Sequence, residues 1–282
     1  MQSKSTNSGS STIREDLEIN ESYLSFKKVL NFWKYPVIFL LLFCFAFYLF
    51  SKLNFNSSKY NSSIVHFKNQ SNGIVLCNAN LINNRMIITS AHCPMKLKSV
   101  DIYLEIGDKI VKEYYEINHP DFVAINNKND IRIVIMAEEL KGSYDFFQLP
   151  IDDETLPKIL TAILWDMTSN FTQYRESKMQ VVDLSKCQEL WKNASSKLTL
   201  SKNKYKPINS NQICTWNAAN HEKFDSFQGD SGMPLIEKKW NGQKVLHAIV
   251  SYGHPKHKLP NINTKIQSHL KWIKEVESQY IK

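Results

Sequence analysis

The sequence predicts an all-β domain that ends in an α-helix and follows a single N-terminal transmembrane helix. Three observations lead to this fold class: short β-rich runs between turn residues, an uncharged apolar run near the N-terminus, and helical spacing of apolar residues at the C-terminus. The chain has 282 residues, 43% of them hydrophobic, with only 8 glycines and 9 prolines. This is enough for one large all-β domain or two small ones.

The N-terminal apolar run covers residues 35–50 and carries no charge. Its 16 residues fall slightly short of the roughly 20 that span a bilayer, and Trp33 extends it as an interfacial aromatic. Basic residues precede the run and only Lys52 follows closely, which predicts a cytoplasmic N-terminus. A cleaved leader, which would make the protein secreted, fits less well because the run begins so late and lacks a small-x-small cleavage signal. We therefore predict a cytoplasmic tail (1–34) and a signal anchor (35–50), with the folded domain extracellular or lumenal.

A polar stalk is predicted at residues 51–62, and the folded domain at 63–282. The β-rich runs of this domain fall into two sets of six, divided near residues 140–158, which is typical of sandwich or barrel architecture. The predicted strands are Ser63–Phe67, Ile74–Leu76, Asn80–Ile82, Met86–Thr89, Val100–Ile106 and Ile131–Met136, then Leu160–Trp165, Met179–Asp183, Gln212–Thr215, Met233–Ile236, Leu246–Tyr252 and Asn263–Ile266.

The C-terminal segment Ile266–Tyr280 is predicted to be a helix. Ile266, Leu270, Ile273 and Val276 recur at intervals of three or four residues, which places them on one helical face.

The cysteines are consistent with a folded domain outside the cytoplasm, and the distribution of charge bears on the partners of the chain. Cys44 lies in the predicted anchor, and the four cysteines beyond it allow two disulfides in any of three pairings. The net charge is +8, but the lysines are scattered and only four arginines occur, so we predict a solvated surface and no nucleic-acid partner. Five Asn-x-Ser/Thr glycosylation sequons also follow the anchor: Asn56, Asn61, Asn69, Asn170 and Asn193.

Three separated segments carry the residues of nucleophilic catalysis. Ser231 lies between glycines in Gly229-Asp230-Ser231-Gly232, His92 lies in Thr89-Ser90-Ala91-His92-Cys93, and Asp130 lies in Asn129-Asp130-Ile131. A serine hydroxyl is a weak nucleophile that needs a base within hydrogen-bond reach and donors for the developing oxyanion. Histidine, aspartate and serine in that chain order can supply this arrangement.

Together these segments resemble the trypsin/chymotrypsin family of serine proteases, over roughly residues 63–282. The resemblance implies two packed six-stranded antiparallel β-barrels with a C-terminal helix. It also implies serine endopeptidase activity, a protein or peptide substrate, and a protein inhibitor as a further partner of the site. Of the three cysteine pairings it selects Cys77–Cys93 and Cys187–Cys214.

The resemblance also implies roles for single residues. His92 is the general base, Asp130 holds its tautomer, Ser231 is the nucleophile, and the amides of Gly229 and Ser231 form the oxyanion hole. This chemistry requires no cofactor, and no metal-ligand pair stands out among the other histidines.

Substrate selection is implied by the residue six positions before the nucleophile, which is Asp225. A carboxylate at the base of the pocket favours cleavage after Lys or Arg. Ser251 to Gly253 resembles the segment that binds the substrate backbone as an added strand. Asn261, on the other pocket wall, either narrows the pocket or hydrogen-bonds Asp225.

Several positions depart from the family pattern. Met233 and Asn78-Ala79 replace glycines in segments that pack together in the family, and Phe227 replaces a cysteine. Ile64-Val65 follows Ser63 rather than a basic residue and lies 13 residues before Cys77, so we predict a first barrel strand there instead of an activation segment. The missing activation segment would leave the acid Asp230 without its usual amine, and it favours the alternative of a catalytically impaired, protein-binding homologue.

Overall fold

The computed structural model describes residues 40–45, 62–94, 101–166, 173–197, 207–220, 229–253 and 259–281. The chain divides into two compact units, residues 1–55 and 56–282. In the first unit, residues 40–45 are helical with exposed side chains. Across the described ranges, no helix has both the length and the apolar character to cross a bilayer. The tail (1–34), the remainder of the predicted anchor and the stalk up to residue 61 lie outside the described residues.

The second unit contains thirteen described strands and two α-helices. The strands are β1 (Ile64–Asn69), β2 (Val75–Leu81), β3 (Met86–Thr89), β4 (Ile102–Ile106), β5 (Lys109–Val111), β6 (Tyr114–Asn118), β7 (Arg132–Met136), β8 (Ile159–Trp165), β9 (Tyr174–Val182), β10 (Gln212–Asn217), β11 (Pro234–Lys238), β12 (Lys244–Tyr252) and β13 (Asn261–Lys265); the helices are α1 (Leu184–Lys197) and α2 (Leu270–Tyr280).

The N-terminal half forms one antiparallel sheet with the order β5-β4-β1-β2-β3-β7-β6. The sequence predicted six strands closed into a barrel, whereas this sheet has seven strands in an open order. A hairpin turning at Gly107, whose φ is +56°, adds β5 at one edge, and β6 pairs with β7 at the other. Two predicted strands merge into β2, because Asn78 and Ala79 continue the ladder with β1.

The C-terminal half forms a closed six-stranded barrel with the order β10-β13-β12-β11-β8-β9, as predicted. The pairing of β12 with β13 shifts register between Val250 and Tyr252, so Ser251 has no regular Cα partner there. Such irregularities re-aim a side chain, and this one turns the Ser251 hydroxyl towards Asp130.

One apolar core joins the sheet to the barrel. Ile88 and Ile133 from the sheet pack in the same buried cluster as Leu235 and Ile249 from the barrel. Burial on this scale supplies the main stabilisation of a β domain, at about 25 cal/mol per Å² of apolar surface removed from water. The core fixes the sheet against the barrel, and the candidate site lies where the two meet.

The helices show one confirmed and one missed prediction. The C-terminal helix forms as predicted, with a 3₁₀ turn at Gln267–His269 followed by α2, which buries Leu270, Ile273 and Val276. Helix α1 was not predicted. Its first turn is capped by the carboxylate of Asp183, which accepts hydrogen bonds from the backbone amides of Ser185 and Lys186.

Candidate active site

His92, Asp130 and Ser231 converge at the junction of the sheet and the barrel. His92 Nδ1 lies 2.7 Å from Asp130 Oδ2, and His92 Nε2 lies 3.0 Å from Ser231 Oγ. A carboxylate only accepts hydrogen bonds at neutral pH, so Nδ1 carries the proton and the lone pair of Nε2 faces the serine hydroxyl. The three side chains therefore form a continuous hydrogen-bonded chain from carboxylate to hydroxyl.

His92 lies in the turn after β3, and its backbone is held from both sides. The Cys77–Cys93 disulfide ties this turn to β2. The buried guanidinium of Arg132 donates to the carbonyls of Ala91 and Cys93, each at 2.9 Å. Arg132 thus fixes the carbonyls on both sides of His92, a role that the sequence analysis missed because the two segments are 39 or more residues apart.

Asp130 is fully buried two residues before β7 and accepts several hydrogen bonds. The His92 amide donates to Oδ1 at 2.8 Å, and the hydroxyl of Ser251 donates to Oδ2 at 2.5 Å. Burial alone would raise the pKa of Asp130, but hydrogen bonds from His92 and Ser251, with the electrostatic attraction of the His92 ring, hold the pKa below its usual value. Thr264 Oγ1 also donates to the backbone carbonyl of Asp130 at 2.9 Å. The carboxylate is therefore ionised and fixed in place.

Ser231 lies in a tight loop immediately before β11. Gly232 has a φ of +82°, and a Cβ there would lie 1.9 Å from the carbonyl oxygen of Asn78. The Asn78 amide donates to the Ser231 carbonyl at 2.9 Å. The loop and β2 therefore pack in direct contact, as the family resemblance implied for Asn78-Ala79 and Met233, and Met233 is completely buried.

The peptide that carries the Ser231 amide is fixed at its opposite end. Its carbonyl, that of Asp230, accepts a hydrogen bond from the Met233 amide at 2.9 Å. Because a trans peptide points its N–H away from its carbonyl, this bond sets the direction of the Ser231 N–H. Gly229, with a φ of +105°, adopts a backbone conformation that suits glycine.

The side chain of Asp230 is almost fully buried and accepts a hydrogen bond from the backbone amide of Trp165 at 3.1 Å. This amide supplies a partner that the sequence analysis did not foresee when it found no activation segment. The segment Ile64-Val65 lies in β1, as predicted.

The predicted substrate-binding residues are placed in part. Ser251 and Asn261 are buried on β12 and β13, and Gly253 follows β12. The Ser251 hydroxyl contacts Asp130, so its side chain supports the candidate triad as well as belonging to the predicted backbone-binding segment. Asn261 Oδ1 is buried without a hydrogen-bond partner among the described residues. Asp225 and Phe227 lie outside those residues.

Both disulfides implied by the resemblance are present. Cys77–Cys93 lies beside His92, and Cys187–Cys214 joins α1 to β10. The remaining cysteine, Cys44, is free.

One group of side chains resembles a cation site. Glu154, Glu237 and His247 bring two carboxylates and an imidazole within 4.8 Å of one another. The ammonium of Lys239 lies 2.7 Å from Glu154 and 2.8 Å from Glu237, so it bridges the two carboxylates and offsets one of their two negative charges. The sequence analysis did not single out this group, because its members come from separate segments.

Comparisons with known proteins identify the family of this chain. The family model described as Trypsin matches residues 53–273. Granzyme-like protein 1 of Rattus norvegicus is 26% identical over 230 residues, covering 75% of this chain and 83% of the relative. Cathepsin G of Mus musculus is 28% identical over 224 residues, covering 74% of this chain and 77% of the relative.

A solved structure titled "Structure of GrC" has a TM-score of 0.60 and 22% identity, covering 79% of this chain and 98% of that one. This similarity shows the all-β fold. Because the family model matches most of the chain, the protein belongs to the trypsin family of serine proteases.

Proposed function

We propose that the chain is a serine endopeptidase that hydrolyses peptide bonds through His92, Asp130 and Ser231. The observation that carries the proposal is the hydrogen bond from Ser231 Oγ to His92 Nε2 at 3.0 Å, with the ionised Asp130 on the other ring nitrogen. The distance lies within the range at which a general base removes a proton.

The first half of the reaction acylates the enzyme. Ser231 Oγ attacks the substrate carbonyl while His92 Nε2 accepts the hydroxyl proton. Asp130 keeps its negative charge and stabilises the imidazolium that forms. The amides of Gly229 and Ser231 donate to the oxyanion, and His92 then protonates the leaving amine.

The second half releases the product. A water molecule takes the place of the leaving amine, and His92 Nε2 removes its proton as it attacks the acyl-enzyme. Collapse of the second tetrahedral intermediate breaks the bond to Ser231 Oγ, which recovers its proton from His92.

Substrate selection is proposed to favour Lys or Arg before the cleaved bond, through the carboxylate of Asp225. The backbone from Ser251 to Gly253 would pair with the substrate as an added strand.

The test of turnover is a panel of fluorogenic peptides that differ only in the residue before the cleaved bond. We expect hydrolysis after Lys and Arg, with kcat/KM for Leu or Glu lower by roughly 10²-fold or more. Ser231→Ala should abolish hydrolysis, and Asp225→Ser should remove the preference for basic residues. A folded wild-type chain that hydrolyses no peptide would support the alternative of a binding module on a protease fold.

We also propose that residues 35–50 anchor the chain with the protease domain outside the cytoplasm. Membranes from expressing cells test this proposal. An anchored chain resists extraction by alkaline carbonate, and its C-terminal domain is digested by protease added outside intact cells. Recovery of the chain in the medium after loss of residues 1–50 would instead indicate a secreted protein.

A further inference from the structure

The side chain of Asn78 bridges the sheet and the nucleophile loop. Its Nδ2 donates to the carbonyl of Gly229 at 2.5 Å and lies 3.4 Å from the carbonyl of Ser231, which also accepts the Asn78 backbone amide. Asn78 itself is completely buried.

These carbonyls flank the peptide that presents the Ser231 amide. The Gly229 carbonyl belongs to the peptide before it and the Ser231 carbonyl to the peptide after it. Asn78 therefore fixes one peptide on each side, while the Met233 amide holds the Asp230 carbonyl between them. Hydrogen bonds therefore orient three consecutive peptide planes of the loop: Asn78 orients the first and the third, and the Met233 amide orients the second.

Asn78 is in turn oriented by His66 on β1. His66 Nδ1 lies 2.9 Å from Asn78 Oδ1, and His66 Nε2 lies 2.5 Å from the hydroxyl of Tyr174. Burial lowers the pKa of His66 to about 4, so the ring is neutral at physiological pH. Because an amide oxygen can only accept, the neutral ring donates from Nδ1 to Asn78, and Nε2 accepts a hydrogen bond from the Tyr174 hydroxyl.

The ring of His66 is also fixed by packing. Its centroid lies 4.8 Å from that of Trp165, the residue whose backbone amide holds Asp230. Trp165 stacks on Tyr174 at the same centroid distance. The polar chain from Tyr174 through His66 to Asn78 is therefore rigid and leads into the nucleophile loop.

We propose that His66 and Asn78 are positioning residues that hold the nucleophile loop in the conformation that presents the Ser231 amide to the oxyanion. The inference rests on the proposed peptidase function and deepens it. It also explains how the loop keeps its shape in a chain whose sequence offers no recognisable activation segment. Removal of this support would displace the Ser231 amide by a fraction of an ångström, which is sufficient to slow catalysis without preventing substrate binding.

Kinetics of the full-length chain test the proposal through Asn78→Gly, which removes the amide side chain. We expect kcat to fall roughly tenfold to a hundredfold while KM changes less than about twofold. Asn217→Ala serves as the matched control. Asn217 is also buried and its side chain also forms a hydrogen bond, to Ser177 on β9. It lies on β10 and forms no hydrogen bond to the nucleophile loop among those described. This control should lose stability and keep the wild-type kcat.

A pair of His66 variants separates positioning from packing. His66→Asn retains a donor near the position of Nδ1, whereas His66→Leu fills the site without one. We expect kcat of His66→Asn to exceed that of His66→Leu by roughly tenfold, even where the two have the same melting temperature. Equal kcat values for the two variants would overturn the role of His66.

Hydrogen exchange provides a readout that does not depend on turnover. Amides of the peptide covering residues 229–235 should exchange at least roughly tenfold faster in Asn78→Gly than in the wild type. In Asn217→Ala the exchange rate of these amides should equal that of the wild type. Wild-type exchange in Asn78→Gly would overturn the inference, as would a wild-type kcat. A wild-type chain with no turnover but with the expected exchange would refute the proposed function and leave the loop support standing.

Discussion

Acidification from about pH 7.5 to pH 5 perturbs the buried side chain of His66. His66 is 7% exposed, and its two ring nitrogens form hydrogen bonds with Asn78 and Tyr174. Burial lowers its pKa in the folded state from 6.5 to about 4. The unfolded chain therefore binds more protons over this interval, and His66 contributes stability that is complete above pH 6.5 and decreases towards pH 4.

The magnitude follows from the two pKa values. At pH 5 an unfolded histidine is almost entirely protonated, whereas His66 in the folded protein is about one-tenth protonated. The resulting difference in unfolding free energy between pH 7.5 and pH 5 is about 2 kcal/mol for this one residue. His66→Asn has no group that titrates in this range, so its loss should be smaller by that amount.

Urea unfolding of the oxidised chain at both pH values measures the effect. The wild type should lose about 2 kcal/mol more than His66→Asn between pH 7.5 and pH 5, and the comparison cancels the other titrating groups, including His269. Equal pH dependence of the two proteins would refute the assignment of His66 as a buried neutral histidine.

Three further substitutions test other contacts. Gly232→Ala places a Cβ 1.9 Å from the Asn78 carbonyl at a positive φ, so we expect a loss of at least about 3 kcal/mol in thermal unfolding, and a stable variant would contradict the loop geometry. Ser251→Ala removes the 2.5 Å hydrogen bond to Asp130, so kcat should fall roughly tenfold with KM unchanged; steady-state kinetics that show no change would argue against this support. Trp240→Ser changes a side chain that is 99% exposed, so the free energy of unfolding measured in urea should differ from the wild-type value by less than about 0.5 kcal/mol.

The sequence predicted the elements in which local pattern and family motif agree. Short apolar runs formed strands, Ile64-Val65 lies in the predicted first strand, and apolar residues at helical spacing formed α2. His92, Asp130 and Ser231 were identified from their immediate neighbours, and the structure places them within hydrogen-bond distance of one another. Each of these predictions depends on a signal contained in fewer than about fifteen consecutive residues.

The missed features depend on contacts between distant segments. Helix α1 begins at an Asp183 cap that the sequence analysis interpreted as the end of a strand, and Cys187 anchors it to β10. The role of Arg132 is visible only when β7 lies beside the His92 turn. The family resemblance implied that the segments of Asn78 and Met233 pack together, but no sequence signal predicts the hydrogen bond from Asn78 Nδ2 to the Gly229 carbonyl, 151 residues away.

The assignment of Ser251 shows the same limit in another form. Its segment was identified by resemblance as a substrate-binding strand, and the sequence gives no sign that its hydroxyl donates to Asp130. The register shift on β12 produces that contact, and register depends on the partner strand as well as on the local sequence.

The most direct test of the proposed catalytic chemistry is labelling with a fluorophosphonate probe followed by mass spectrometry of the tryptic peptides. Such a probe reacts with a serine hydroxyl only where a general base and oxyanion donors activate it. We expect one adduct per folded chain on Ser231, with no adduct in Ser231→Ala and a greatly reduced rate in His92→Ala. A folded wild-type chain that remains unlabelled at Ser231 would contradict the account.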